Sequence, residues 1–185
     1  NDGNFRNQSR TIGQTTIVGG GDVTATGTLA TSGTPTVTIR GTGNISGAGT
    51  KTIYNLTVGD GTTANTTLSD TLTISNNASV GTGSTFNINA DLTVIGNLTN
   101  TTTGIINHTA NSPVVTVSGS SIGGGSGNLT FYRLQKTGAG TTTFSGSGTN
   151  VINNSLDATA GTLTLSTNNV IKVAGDVSSS TSATL

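Results

Sequence analysis

Residues Pro35 to Leu56 read PTVTIRGTGNISGAGTKTIYNL, and residues Pro113 to Leu134 read PVVTVSGSSIGGGSGNLTFYRL. The two stretches align without a gap at an offset of 78 (113 − 35), and nine of the 22 positions are identical. The chain has only two prolines and two tyrosines, and the alignment matches both pairs. Such agreement among the rarest residues of a Thr- and Gly-rich chain establishes an internal repeat.

The match continues on both sides. Gly21-Asp22-Val23-Thr24 matches Gly96-Asn97-Leu98-Thr99 at an offset of 75 (96 − 21), and Leu92 to Leu98 matches Ile171 to Val177 at 79 (171 − 92). Residues 21–95 and 96–174 are thus two repeat units of about 75 to 79 residues. A lead of residues 1–20 precedes them, and in 175–185 the triplet Gly175-Asp176-Val177 opens the pattern again, as the start of a third unit. The offset drifts in the polar turns, which tolerate insertions that buried strand positions do not.

Of 185 residues, 8% are charged and 3% aromatic, while Gly numbers 28 and Cys, Met and Trp are absent. Disorder is excluded by zero net charge and by paired apolar residues in TLTI, NLTV and TFNI, an alternation that disordered chains lack. With Thr abundant and Glu absent, intrinsic preference favours strand and turn over helix. The fold class is all-β.

Strands such as VTI, YNLTV, LTI, FNI and LTV, separated by Gly, Asn or Asp, suit a β-solenoid (parallel β-helix) or tandem antiparallel β-sandwich modules. The solenoid is favoured because the pairs Leu56/Val58, Leu72/Ile74 and Leu92/Val94 recur 16 (72 − 56) and 20 (92 − 72) residues apart, near one coil, which is expected at about 18 to 20 residues. Each unit is then about four coils. A sandwich also needs more large aromatic residues than these units have. Against this, Asp60-Gly61 is a hairpin signature.

The texture of YNLTVGDGTTANTTLSDTLTISNNASV, and of the chain from Leu129 to Val177, resembles the β-helical repeat regions of large secreted bacterial surface proteins. These are the haemagglutinin and autotransporter-like adhesins, and the resemblance covers residues 21–185. It implies an extracellular, right-handed parallel β-helix at the cell surface, acting as stalk, adhesin or fibre material.

The carboxylates are Asp2, Asp22, Asp60, Asp70, Asp91, Asp157 and Asp176, mostly beside Gly, Ser or Asn at predicted turns. Asp22 and Asp176 are repeat-equivalent to Asn97, so they are expected to accept backbone hydrogen bonds rather than act as acids. His108 is the only histidine and Cys is absent, which leaves no thiolate metal site and no catalytic triad. No catalytic residue, metal site or cofactor is expected, and the expected function is non-enzymatic. Balanced, scattered charge argues against nucleic acid, and no apolar run is long enough to span a membrane.

Ten Asn-x-Ser/Thr sequons, at Asn7, Asn44, Asn55, Asn65, Asn77, Asn97, Asn100, Asn107, Asn128 and Asn153, are candidate glycosylation sites of a surface glycoprotein. The strand read at Thr15, Thr16, Ile17 and Val18, together with Val177 and Leu185, is the candidate subunit contact. The partner expected there is another copy in a head-to-tail homopolymer, or the continuation of a longer chain. The second reading is an adhesin binding carbohydrate or a partner-cell surface, for which Tyr54, Tyr132, Phe86 and Phe131 are the candidate aromatic platforms.

Overall fold

The computed structural model describes residues 22–167 and 169–185, and in the lead the backbone of the strands Phe5–Asn7, Arg10–Ile12 and Ile17–Gly19. Among the described residues the chain is all-β, a solenoid of about 8 turns without a helix. Its strands form one 16-stranded and one 9-stranded sheet. Strands pair in parallel, each with the strand one coil before and one coil after.

Each coil has three faces. The first carries Thr42–Ser46, Asn65–Leu68, Thr85–Ile88 and Ile105–Asn107; the second carries Lys51–Ile53, Leu72–Ile74, Leu92–Val94 and Val114–Val117. These two faces are the 16-stranded sheet, because Leu129–Lys136 and Asn150–Ala158 both run round the corner between them. The third face is the 9-stranded sheet, with Thr36–Ile39, Asn55–Val58, Ala78–Val80 and Leu98–Asn100.

The physical cause is the alternation. Leu72-Thr73-Ile74 buries Leu72 and Ile74 to 1% and 0% exposure and turns Thr73 outward, as a strand's two-residue period requires. In-register stacking then sets apolar on apolar, as Leu72 on Leu92 and Ile74 on Val94. One apolar cluster runs inside from Ala25 to Leu163, across the junction of the two sequence units. Its largest members, Phe86, Phe131 and Phe144, are fully buried, and Phe131 meets Phe144 edge to face at 6.4 Å.

Two expectations are corrected. The coil, expected at about 18 to 20 residues, keeps that length in many turns but ranges from 18 (Phe5 to Val23) up to 24 (Leu98 to Ile122). Leu56 stacks on Ala78, whereas Leu72 lies on another face. The inward positions of all three faces are mostly apolar, so apolar spacing alone does not distinguish one face from the next. Asp60-Gly61 is also not a hairpin: Asn55–Val58 and Asn65–Leu68 lie in different sheets. Gly61 has the positive φ of 69° that the signature requires, but the signature sets only the local turn, here a corner.

The repeat is out of phase with the coil. Thr36–Ile39 lies on the third face, but its copy Val114–Val117, eleven strands on, lies on the second. Eleven strands at three per coil are 3⅔ coils, so each copy sits one face away from its original. The openings Val23–Ala25, Leu98–Asn100 and Val177–Ser179 accordingly fall on the first, third and second faces. Local bonds survive the rotation. Pro35 O accepts from Asn55 N–H at 3.1 Å, and Pro113 O accepts from the equivalent Arg133 N–H at 3.3 Å.

Glycine is required where coils touch at corners. Gly47 has φ +101°, and a Cβ there would lie 2.2 Å from the Ala25 carbonyl oxygen. No other residue fits both constraints.

Candidate functional site

Carboxylates brace neighbouring coils. Asp22 Oδ1 accepts from Asn44 N–H at 2.9 Å, Asp70 Oδ2 from Gly47 N–H at 2.8 Å, and Asp91 Oδ1 from Val114 N–H at 2.8 Å. Asn97, the repeat-equivalent of Asp22, does the same, its Oδ1 accepting from Ser120 and Ser121 N–H at 2.9 and 3.0 Å. The interchange of Asp and Asn thus has the turn role the sequence suggested. Asp60 pairs with Arg40 at 2.7 Å in solvent, and Asp157 accepts from Ser155 and Ser178 hydroxyls at 2.9 and 2.5 Å. Asp2 lies outside the described residues. Among the described residues, no three His or Asp side chains gather as a metal site would need.

The sequon asparagines differ in accessibility. Asn65, Asn77, Asn128 and Asn153 are exposed, and Asn44, Asn55, Asn97 and Asn107 are half-buried. Most are tied to an adjacent coil: Asn55 Oδ1 accepts from Asn77 N–H at 3.2 Å, and Asn77 Oδ1 from Asn97 N–H at 2.9 Å. Asn44 Oδ1 accepts from Ser69 Oγ at 2.7 Å, Asn65 Oδ1 from Asn87 Nδ2 at 2.9 Å, and Asn128 Oδ1 from Thr149 N–H at 3.0 Å. Asn107 Nδ2 donates to Asn87 Oδ1 at 3.4 Å. Asn100 is 3% exposed. Its Nδ2 donates to Gly104 O at 2.7 Å and Gly127 O at 3.2 Å, and its Oδ1 accepts from Gly125 N–H at 3.0 Å. The Asn100 atom that would carry a sugar is therefore committed to the fold. Asn7 is described by its backbone alone, in Phe5–Asn7.

At the proposed contact, Ile17 and Val18 pair through their backbone with Val37 and Thr38 of the same chain. Thr15 and Thr16 lie outside the described residues. Ile17–Gly19 is the end strand of its sheet. Val177 and Leu185, at the other end, are 56% and 45% exposed.

Phe86 and Phe131 are 0% and 1% exposed, which removes them as surface platforms. Tyr54 and Tyr132 are half-buried at corners. Tyr132 is not alone there, for its ring lies 5.4 Å from that of His108, tilted by 48°. His108 is therefore more than an isolated turn residue.

Sequence reading missed two buried lysines. Lys136, 0% exposed, donates through Nζ to Gly138 O and, at 3.2 Å, to Ala160 O. Lys51, 3% exposed, donates to Gly47 O at 2.5 Å and Gly49 O at 3.0 Å. Burial lowers both ammonium groups below the ordinary 10.5, with Asp70 acting against it at Lys51. A signal was present: at the offset of 78, Lys51 aligns with Leu129 and Lys136 with Val58, both inward and apolar. Their stems pack like those of the residues they replace, and the turn carbonyls take the charge.

Comparison with protein-family models, curated proteins and solved structures finds no match for this chain.

Proposed function

We propose that the chain is a non-enzymatic structural segment of the cell surface, extracellular, forming a fibre, filament or stalk by stacking β-coils. The observation that carries this is the regular stack itself: parallel coils pair in register around one apolar core that runs from Ala25 to Leu163. A stack in which each coil contacts only its neighbours extends in one dimension, and the edge of any coil can accept another. Where that coil belongs to a second copy, a head-to-tail contact that does not close makes a filament.

Electron microscopy of native material tests this. Filaments or cell-attached stalks with an axial repeat of about 4.8 Å are expected. Where subunits polymerise, deleting residues 1–20 abolishes it, because the receiving coil is lost. Native material that is a free, compact monomer refutes the reading, and normal filaments from the truncated chain refute the subunit contact.

A further inference from the structure

We infer that the corner around Tyr132 binds a pyranose ring of an acidic, uronate-containing polysaccharide. The inference goes beyond the stacking role and holds whether or not subunits polymerise. It begins with an interruption of regularity. Three residues, 89–91, link the first face to the second in one coil, and one residue, Tyr132, does so two coils later. Between them the link is six residues, 108–113.

This loop is held in place. Asn89 Oδ1 accepts from Thr109 N–H and Ala110 N–H, both at 3.0 Å, and Asn111 Nδ2 donates to Asn89 O at 2.8 Å. Asn111 takes a φ of 65°, uncommon for a residue with a side chain. His108 donates from Nε2 to Asn111 O at 3.2 Å, and its Nδ1 accepts from Asn153 Nδ2 at 3.4 Å, two coils on. Asn154 Nδ2 donates to Tyr132 Oη at 3.3 Å.

The geometry leaves bonding capacity unspent. Asn153 and Asn154 are exposed, and among the described residues their side-chain carbonyl oxygens and the Tyr132 hydroxyl proton have no partner. An aromatic face edged by preorganised donors and acceptors matches a sugar, whose C–H face stacks on the ring while its hydroxyls meet the amides. Arg133 supplies the charge preference. Its Nη2 donates to Ser112 O of the same loop at 3.2 Å, and its Nε is buried without a partner. The described residues hold one ion pair, Arg40–Asp60, so Arg133 has no carboxylate of its own there, and a uronate would provide one.

Lack of Trp makes the test direct. In Tyr54→Phe protein, Tyr132 is the sole strong emitter, and hexagalacturonate is titrated against it with cellohexaose in parallel. A saturable change with hexagalacturonate, and weaker or no change with cellohexaose, is expected. By calorimetry, Tyr132→Ala weakens hexagalacturonate binding about tenfold, Tyr132→Phe retains most of it, and Arg133→Gln weakens it and removes its salt dependence. Circular dichroism of each variant confirms the fold. No saturable binding of either oligosaccharide overturns the site. Binding indifferent to Tyr132→Ala overturns it equally, and equal affinity for both sugars overturns the uronate assignment.

Discussion

Lys136 is enclosed by backbone and carries its charge among carbonyl oxygens, without an acidic partner among the described residues. Because burial lowers its folded value, the folded chain binds fewer protons than the unfolded chain between that value and 10.5. Stability is therefore lowest below the window and rises with pH through it. Urea midpoints measured from pH 8 to 10.5 should climb in the parent and climb less in Lys136→Met; an unchanged slope would show that the group does not titrate as its burial requires. Asn100 makes a second case. Asn100→Ala strands two carbonyls and one N–H, and about 3 kcal/mol of stability should be lost in denaturant titration. In chains bearing N-glycans, peptide mass spectrometry should find Asn100 unoccupied while exposed Asn65, Asn77, Asn128 or Asn153 carries sugar. The sequon pattern was legible in the sequence, but burial was not, since Asn100 ends a strand that differs from its neighbours only in facing inward with a polar group.

Strands and corners separate what the sequence discloses from what it does not. Alternation in Leu72-Thr73-Ile74 names the buried residues, because a strand shows its faces by a period of two. Which strand lies above which is settled by coil length, and that depends on corners of varying size, as the loop 108–113 shows. Hence Leu56 and Leu72 look equivalent in sequence and stand on different faces. The contact of His108 with Asn153, 45 residues away, was illegible for the same reason. Corners also differ in tolerance. Gly61→Ala meets open space at a φ of +69° and should cost about 1 kcal/mol. Gly47→Ala meets the Ala25 carbonyl at 2.2 Å in a left-handed backbone and should cost several times more. Thermal unfolding of the pair checks the order, and equal losses would contradict the close approach.

At the scale of the whole molecule, stability is a sum over neighbouring coils. Leu92→Ala, at a site 0% exposed, should cost about 2–5 kcal/mol. Removing residues 75–94 joins Ile74 to Ile95 across one stacking register, since Ile74 stacks on Val94. That shortened chain should fold, unfold cooperatively, and melt at a lower temperature than the parent; an aggregated or unfolded product would mean that the coils are not interchangeable.

The 3⅔-coil repeat has an evolutionary corollary. Duplication of one such unit advances the pattern about 18 Å along the axis, taking about 4.8 Å per coil, and turns it by a third of a revolution. Lengthening by whole units therefore winds every inherited surface feature into a spiral staircase. A lineage growing this way gains sites looking out in all directions, and it cannot broaden a single flat side.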